Sequence, residues 1–368
     1  MKIRNPRTGE DDYEIAPLDQ RSVAFEAQRL RKGQVYWSAK TPKQRGEVLI
    51  QWAHAIEASM GNVIPALTAD TGRAGISKIE AASVPAQIRR WAEQAPQLIA
   101  AGQPTGQQTS NASITTSTHL VPYQLIGVIS PWNFPMILAL IDAIPALMAG
   151  CAVLVKPSEV TPRFIGPLME TVRSIPELAA VLSIIEGDGT TGAAMISNVD
   201  YICFTGSVRT GRRVAEAAAA VFIPASLELG GKDPMIILAD ADPEKAAAIA
   251  LRSSLVNTGQ ACQSIERIYI AREISGPFLE SLVQQGETVK FNYPNIEEGH
   301  IGPFIFEKQA EIAQAQIDDA VAKGAKLLAG GKLEKLGGGL YLKPTILIDV
   351  TPEMDVIAKE NFGPVLPV

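Results

Sequence analysis

Residues 125–156 read LIGVISPWNFPMILALIDAIPALMAGCAVLVK, and this stretch decides the fold. Its first six residues, Leu125–Ser130, form a short apolar run that predicts a strand. Pro135–Ala149 predicts a helix that ends at Gly150, since glycine commonly stops helices. Ala152–Lys156 then predicts a second strand. A strand, a helix and a strand in this order form the repeating unit of a parallel sheet.

The same alternation continues toward the C-terminus, through strands predicted at 182–186 and 201–204 and helices at 163–173, 191–197 and 211–220. Continuous apolar strands that alternate with helices predict an α/β fold, in which helices cover both faces of a parallel sheet. Such sheets bind ligands beyond the carboxyl ends of their strands.

The flanking regions have different patterns. Apolar residues at helical spacing predict helices at 45–59 and 76–94, and Ala101–Ser110 has the composition of a loop. The Thr- and Ser-rich segment Asn111–Val121 predicts an exposed hairpin or edge strand. From Leu227 a second α/β region begins, with strands at 235–238 and 267–270 and helices at 243–257, 276–285 and 307–323.

The composition is that of a globular protein: hydrophobic residues make up 46%, charged residues 20%, and the net charge is −6. This mild acidity gives no reason to expect a nucleic-acid partner. Three cysteines are too few for a disulfide framework, and no apolar signal segment opens the chain, so we expect a cytoplasmic protein. The three histidines are scattered and no cysteine pair has zinc-ligand spacing, so we expect no metal site.

A membrane span is also not expected, although residues 134–155 are almost wholly apolar and nearly long enough. Asp142 and two prolines, Pro135 and Pro145, interrupt the stretch. A buried helix followed by a buried strand explains it better.

Cys262 lies in the segment NTGQACQS (257–264), whose residues are small and polar. A thiol on such a turn can face a cleft, where a lowered pKa would make it a nucleophile. The alternative is a buried structural thiol. Cys151 and Cys203 lie inside apolar strands, and for them the structural interpretation is favoured.

Two further side chains could serve a reaction at a carbonyl carbon. Glu228 lies between two leucines and precedes Gly230-Gly231; partial desolvation there would raise its pKa toward that of a general base. The alternative is a surface carboxylate that pairs with Lys232. Asn133 follows the first strand, and its amide could donate to an oxyanion or simply form a turn.

Two segments suit a nucleotide. FTGSVRTG (204–211) joins a strand to a helix, and the first amides of a helix bind phosphate, although the GxGxxG fingerprint is absent. Lys156-Pro157-Ser158-Glu159 follows the second strand, where a lysine and a glutamate can bind ribose hydroxyls. A glutamate there would repel a 2′-phosphate and favour NAD over NADP. An ordinary charged loop is the alternative.

Together these segments resemble, in order and spacing, the signature segments of the aldehyde dehydrogenase superfamily. The resemblance runs nearly end to end and rests on PWNFP (131–135), KPSE (156–159), FTGS (204–207), ELGGK (228–232), GQAC (259–262) and ENFGPV (360–365).

The resemblance implies that Cys262 attacks an aldehyde, that Asn133 and the Cys262 N–H hold the oxyanion, and that Glu228 activates water to hydrolyse the resulting thioester. It also implies an NAD site, with NADP less favoured, formed by Ser130, Pro131, Trp132, Lys156, Ser158, Glu159, Gly206, Ser207, Gly211, Leu229, Gly230, Glu360 and Phe362.

The resemblance further implies a domain division. Residues 1–102 and 122–228 would form a Rossmann-like NAD-binding domain, 103–121 an oligomerisation hairpin, and 229–368 an α/β catalytic domain. By the same resemblance we expect a homodimer or homotetramer.

Family members continue well beyond the ENFGPV segment, so we expect the catalytic domain to be incomplete here. An inactive nucleotide-binding protein is therefore the alternative to a working dehydrogenase. Relatives that oxidise succinic semialdehyde often carry an arginine where this chain has Ile141, so an uncharged aliphatic or aromatic aldehyde is the expected substrate.

Overall fold

The computed structural model describes all residues, 1–368, as an α/β protein, which confirms the predicted fold class. The strands are β1 (Lys2–Arg4), β2 (Asp11–Glu14), β3 (Gln107–Gln108), β4 (Thr115–Thr116), β5 (Leu125–Ile129), β6 (Ala152–Lys156), β7 (Leu182–Ile184), β8 (Tyr201–Thr205), β9 (Ala225–Glu228), β10 (Asp233–Ile237), β11 (Ile265–Ile270), β12 (Lys326–Ala329), β13 (Leu333–Leu336), β14 (Gly339–Leu342), β15 (Thr345–Ile348) and β16 (Val365–Pro367).

The α-helices are α1 (Gln20–Ser38), α2 (Pro42–Ala58), α3 (Met60–Thr71), α4 (Ala74–Ala101), α5 (Pro135–Leu140), α6 (Ala143–Ala149), α7 (Ile165–Arg173), α8 (Pro176–Ala179), α9 (Gly189–Ile196), α10 (Val208–Ala220), α11 (Pro243–Leu255), α12 (Ser275–Glu287), α13 (Glu307–Ala322) and α14 (Asp355–Ala358). Short 3-10 turns follow at Val256–Gly259 and Arg272–Ile274. No helix combines the length and the apolar composition of a membrane span.

The chain divides into two compact units, and the first contains Glu14–Leu67 and Lys78–Glu228. Its centre is a five-stranded sheet of order β7-β6-β5-β8-β9, in which every neighbouring pair is parallel. Helices α1 and α9 pack on the sheet and on each other. Helices α6 and α7 also pack on the sheet, and α2 contacts both of them. The central strands β5 and β6 are almost wholly buried because helices cover them.

The predicted helix 135–149 is wrong as a single element, because the structure breaks it into α5 and α6 at Ile141-Asp142. Pro145 has no N–H to donate to the carbonyl of Ile141, so one helical hydrogen bond cannot form there. The predicted stop at Gly150 is confirmed, since this residue caps α6 in the left-handed conformation with φ 102°.

A small hairpin projects from the first unit. β3 and β4 pair antiparallel, with Gln107 opposite Thr116, and residues 110–121 are exposed throughout. The sequence predicted a hairpin or edge strand within 111–121, but the first strand lies in the predicted loop 101–110. Two-residue strands are too short for periodicity to reveal them.

The second unit contains Lys2–Tyr13, Thr68–Ser77 and Leu229–Val368. The parallel pair β10–β11 packs with α11 and α12 around one apolar core. A second apolar core lies among α13, α14 and the strands β14–β16. Within this unit the sheet β12-β15-β16 is mixed, and β13 and β14 form a hairpin.

The unit boundaries differ from the predicted domains, which assigned residues 1–102 to the first domain as mostly helical. Residues 2–13 instead contain β1 and β2 and belong to the second unit. Arg7 holds them there by donating to the carbonyls of Asn292 at 2.8 Å and Pro294 at 2.9 Å. The side-chain amide of Asn292 donates to the Gly72 carbonyl at 2.7 Å, which holds residues 68–77 in the same unit.

Candidate active site

The carboxyl edge of the five-stranded sheet gathers several of the predicted site residues. The register pairs Ile129 at the end of β5 with Lys156 on β6 and Phe204 on β8, and it pairs Thr205 with Glu228 on β9. Asn133, Lys156, Ser207 and Glu228 therefore follow or end neighbouring strands at one edge. The strand order reverses on either side of β5, and ligands of doubly wound sheets bind at such a point.

Lys156 is a buried cation at this edge, 3% exposed. Its Nζ donates to the carbonyls of Pro157 at 2.8 Å and Gly187 at 3.1 Å and lies 3.4 Å from a carboxylate oxygen of Glu159. Burial lowers the pKa of Lys156, and the negative charge of Glu159 opposes that shift. The Lys156 N–H groups are thus used within the chain, whereas Glu159 is partly exposed and offers an acceptor to a ligand.

The neighbouring Ser158 stabilises the turn that presents Glu159. The buried Ser158 hydroxyl oxygen accepts a hydrogen bond from the Val160 N–H at 3.2 Å.

The turn after β8 leads into the N-terminus of α10. The Ser207 hydroxyl caps this helix, accepting from the Thr210 N–H at 3.4 Å, and Gly211 is buried in the first turns. The Gly206 N–H donates to the Glu228 carbonyl at 3.0 Å. A Cβ on Gly206 would lie 2.7 Å from the Phe204 ring, so a larger residue in this tight turn would have to displace that ring.

The segment after β5 carries Asn133, which is buried, with Pro131 and Trp132 partly exposed before it. The Trp132 carbonyl accepts from the Thr161 hydroxyl at 3.2 Å. The Ser130 N–H donates to the Lys156 carbonyl at 3.2 Å, whereas the buried Ser130 hydroxyl has no partner within the chain. A buried hydroxyl without a partner is costly, and a ligand at this edge could satisfy it.

These features fit a dinucleotide cofactor. A ribose hydroxyl could donate to the partly exposed Glu159 carboxylate, which the buried Lys156 holds in place. A pyrophosphate needs exposed amides at a helix N-terminus, and α10 supplies them behind Gly206-Ser207.

Glu80 was not predicted, and it holds the segment that carries Asn133. This buried carboxylate accepts from the N–H groups of Met136 at 2.7 Å and Ile137 at 2.9 Å, at the start of α5. Burial raises the pKa of Glu80 to about 7, and the two N–H donors oppose that shift. The residue lies more than fifty positions before its partners, so no local pattern indicates the contact.

We expect Glu80→Gln to change how stability depends on pH. The folded-state pKa of Glu80 is raised above its ordinary 4.5, so its proton stabilises the fold below pH 4.5, and that contribution is lost as pH rises through about 7. The variant should therefore gain stability relative to the unaltered chain between pH 5 and pH 8, on the order of 2 kcal/mol. Urea unfolding at both pH values measures this difference.

Glu93→Gln is the matched control, because Glu93 is exposed on the same helix, α4. Stability curves for Glu80→Gln that run parallel to those of the unaltered chain across this pH range would contradict the assignment.

The environment of Glu228 differs from the one that its sequence predicts. The residue ends β9 and is exposed, so the predicted partial desolvation is wrong. Lys232, its suggested partner, instead binds Glu266 at 2.8 Å. Burial raises the pKa of Asp142 at the α5–α6 break, and the negative charge of Glu228 raises it further. Two carboxyl groups therefore interact in this part of the first unit.

Cys262 lies in the second unit and is the exposed cysteine of the three. Asn257, Thr258 and Gly259 before it are all left-handed, with φ of 56°, 59° and 71°. A Cβ on Gly259 would lie 2.2 Å from the Gly363 carbonyl oxygen, so only glycine fits. The turn that leads to Cys262 therefore has an unusual backbone.

The other two cysteines are buried, as predicted. Burial raises the pKa of Cys151 to about 11 and that of Cys203 to about 12. Thiols with such pKa values are almost entirely protonated at neutral pH and react poorly.

The C-terminal motif lies against the Leu229-Gly230 segment. A Cβ on Gly230 would lie 2.3 Å from a carboxylate oxygen of Glu360. Burial, followed by the negative charge of Glu266, raises the pKa of Glu360 to about 7. The structure thus brings together Gly230 and Glu360, two predicted cofactor residues.

Glu266, which the sequence did not single out, holds this region in place. Its carboxylate accepts from the N–H groups of Asn361 at 2.9 Å and Phe362 at 2.8 Å, and from Lys232. Phe362 has a positive φ of 50°, so its backbone requires such support. The sequence signal was weak, because β11 contains both Glu266 and the charged Arg267 among its apolar residues.

The family model described as "Aldehyde dehydrogenase family" matches residues 1–368. A protein from Mycolicibacterium smegmatis, provisionally named a succinate-semialdehyde dehydrogenase with NADP(+), is 34% identical over 346 residues, which cover 94% of this chain and 66% of that protein. A similarly named protein from Mycobacterium tuberculosis is 42% identical over 246 residues, which cover 67% of this chain and 48% of that protein.

Among solved structures, a provisionally named aldehyde dehydrogenase PutA from Anabaena variabilis is 48% identical with a TM-score of 0.97. The match covers 100% of this chain and 78% of that one. The chain thus spans from about half to two thirds of the length of the curated relatives described above. These matches do not favour the alternative of an inactive nucleotide-binding protein.

Proposed function

The chain belongs to the aldehyde dehydrogenase family, and on this premise we propose that it oxidises an aldehyde to a carboxylic acid with reduction of NAD+. The observation that carries the proposal is Cys262, an exposed thiol on a loop with three consecutive left-handed residues. Backbone strain beside a side chain that can react is typical of a functional site.

In the proposed reaction the Cys262 thiolate attacks the aldehyde carbon. A carbon–sulfur bond forms, and the carbonyl oxygen becomes an alkoxide. The Asn133 amide and the Cys262 N–H donate hydrogen bonds to this oxyanion. Such donors contribute more in a site that excludes water, and Asn133 is buried as that role requires.

The alkoxide then collapses, its carbon–hydrogen bond breaks, and a thioester remains on Cys262. A nicotinamide cofactor, when bound, would supply the acceptor for the hydride. Glu228 takes a proton from water, the resulting hydroxide attacks the thioester carbon, and the carboxylic acid leaves as the thiolate returns. A separate base is needed because Cys262 is occupied. The exposure of Glu228 gives it access to water.

The test is NADH formation by the purified chain with NAD+ and a panel of aldehydes, followed by absorbance. Sustained formation of NADH and the matching acid supports the proposal. A folded chain that binds NAD+ yet yields no acid with any aldehyde would overturn it.

We further propose that the chain prefers NAD+ to NADP+. Glu159, partly exposed beside the buried Lys156, would repel a 2′-phosphate. The curated relatives carry NADP(+) in their names, which speaks against this preference. Exposed arginines on α10, Arg209, Arg212 and Arg213, could attract the same phosphate.

Glu159→Gln should therefore improve the use of NADP+. We expect kcat/KM for NADP+ relative to NAD+ to rise about tenfold, because removing one charge near the phosphate changes binding by roughly 1.4 kcal/mol. The substitution leaves Lys156 and Ser158 unaltered, so it removes the charge at position 159 and keeps the rest of the turn. Higher kcat/KM with NADP+ than with NAD+ in the unaltered chain would contradict the preference.

An uncharged aldehyde is the proposed substrate. Ile141 is 43% exposed at the α5–α6 break, and the neighbouring Asp142 interacts with Glu228. Two carboxyl groups would disfavour an aldehyde that itself carries a carboxylate. The names of the curated relatives point instead to succinic semialdehyde. Comparison of kcat/KM for hexanal, benzaldehyde and succinic semialdehyde decides between them, and a clear advantage for succinic semialdehyde contradicts the proposal.

We also propose that the chain forms a homodimer or homotetramer through the exposed 103–121 hairpin. Its β4 strand presents an open edge, which can pair with another chain. Deleting the hairpin should give monomers in light scattering, and an unchanged oligomer would exclude this role. The cysteines, none in a disulfide, fit a reducing compartment, so we infer a cytoplasmic location.

A further inference from the structure

Arg73 is a fully buried cation that the proposed reaction does not use. It is 4% exposed and precedes α4 in the segment 68–77 of the second unit. Burial lowers the pKa of Arg73 to about 9. Burying a guanidinium is costly unless its N–H groups are used, so its contacts indicate why it is there.

The guanidinium connects the loop that leads to Cys262, residues 257–262, with the neighbouring segment 302–303. One nitrogen donates to the side-chain oxygen of Asn257, and another donates to the Pro303 carbonyl at 2.9 Å. The loop and residues 302–303 are joined again by Thr258, whose hydroxyl oxygen accepts from the Gly302 N–H at 3.1 Å. Arg73 therefore links the loop to a neighbouring backbone segment.

Asn257 passes this restraint along the loop. While its amide oxygen accepts from Arg73, its amide nitrogen donates to the Gln260 carbonyl at 2.9 Å. The Gln260 side chain returns a hydrogen bond to the Asn257 carbonyl at 3.2 Å and accepts from the Ile305 N–H at 3.0 Å. The orientation of one amide, fixed by Arg73, thus reaches the residue two positions before Cys262.

The backbone of the loop needs this support. Asn257 tolerates the left-handed conformation, but Thr258 is β-branched and adopts it at a steric cost, with φ 59°. A strained conformation persists only where its surroundings determine it. Arg73 and the 302–303 segment are those surroundings.

We propose that Arg73 is a positioning residue for Cys262. By fixing the Asn257 side chain, Arg73 holds residues 257–259 in the left-handed conformation that leads to Cys262. The inference deepens the proposed function, since it assigns a support to the residue that we place at the reacting carbon. Arg73 acts through Asn257 and contacts no reacting atom in this scheme.

The test is the rate at which iodoacetamide alkylates Cys262, followed by peptide mass spectrometry over a range of pH. We compare the unaltered chain with Arg73→Met and Arg73→Lys. Arg73→Met should slow Cys262 alkylation by about fivefold or more, because the strained loop relaxes when its support is removed and no longer holds the thiol in its exposed position. Arg73→Lys, which keeps the charge and one donor, should recover part of the rate.

Two internal references separate positioning from unfolding. Cys151 and Cys203 are buried in the first unit, so their protection from alkylation reports that this unit is folded. Slow amide hydrogen exchange of the buried strand β15 reports that the second unit, which contains Arg73 and Cys262, is folded. Arg45 supplies the matched control, since it is a buried arginine of the first unit that donates to the Met148 carbonyl at 2.9 Å. Arg45→Met should leave the rate at Cys262 unchanged.

If Arg73→Met unfolds either unit, Asn257→Gly decides the matter. Glycine permits the left-handed backbone but does not enforce it, and it removes the amide that Arg73 holds. Slower alkylation of Cys262 in a folded Arg73→Met chain, or in a folded Asn257→Gly chain where Arg73→Met unfolds, supports the proposal. The unaltered rate in that deciding variant overturns it. Because alkylation requires no aldehyde oxidation, the result stands whether or not the chain proves to be a dehydrogenase.

Discussion

Replacing Cys262 with alanine is expected to lower aldehyde oxidation by about 10⁴-fold or more, the loss typical of removing a covalent nucleophile. Without the thiol no carbon–sulfur bond forms, and the aldehyde itself is a poor hydride donor. The measurement is the rate of NADH formation at saturating NAD+ and aldehyde. Because Cys262 is exposed, the substitution should leave stability unchanged within about 0.5 kcal/mol.

Cys203→Ala is the control for this result. That thiol is buried in β8, and burial raises its pKa to about 12, so it cannot act as the nucleophile. The control should lose some stability but keep NADH formation per folded molecule. Equal rates in Cys262→Ala and the unaltered chain would remove Cys262 from the reaction.

Replacing Glu228 with glutamine should separate the two halves of the reaction. Thioester formation does not need this base, so each chain should release about one equivalent of NADH and then stall. Steady turnover should fall by about 10²–10⁴-fold, the usual contribution of a general base. Rapid mixing measures the first turnover, and intact-mass spectrometry should detect the acyl group on Cys262.

Glu216→Gln provides the control, since Glu216 is an exposed glutamate on α10 outside the proposed site. It should turn over like the unaltered chain. The loss of the first equivalent of NADH in Glu228→Gln would show that Glu228 acts earlier than we propose. Unchanged steady turnover would exclude it as the base.

Local patterns were sufficient for the central sheet. The apolar runs at β5 and β6 and the glycine at 150 predicted strands and a helix stop that the structure confirms. The same patterns could not reveal the break between α5 and α6. Its cause is a single missing N–H at Pro145, which lies inside an apolar run that otherwise continues without interruption.

Some residues of the candidate site could likewise be predicted from local sequence, and others could not. Cys262, Asn133 and Lys156 stood out because each follows a strand or turn with a distinctive local sequence. Glu80, Glu266 and Arg73 did not stand out, although each is buried and holds one of the segments that carry these residues or the C-terminal motif. Each contacts backbone or side chains that are far away in the sequence, as Arg73 does with Asn257.

The α/β class and the family could therefore be predicted from the sequence, and so could the candidate reactive side chains, because apolar periodicity and short motifs are local properties. Only the tertiary structure decided that residues 2–13 and 68–77 join the second unit, that Glu228 is exposed, and that buried charges support the site loops. These properties depend on which distant segments meet when the chain closes its long loops. Burial, and with it the cost of a charge, exists only after those contacts form.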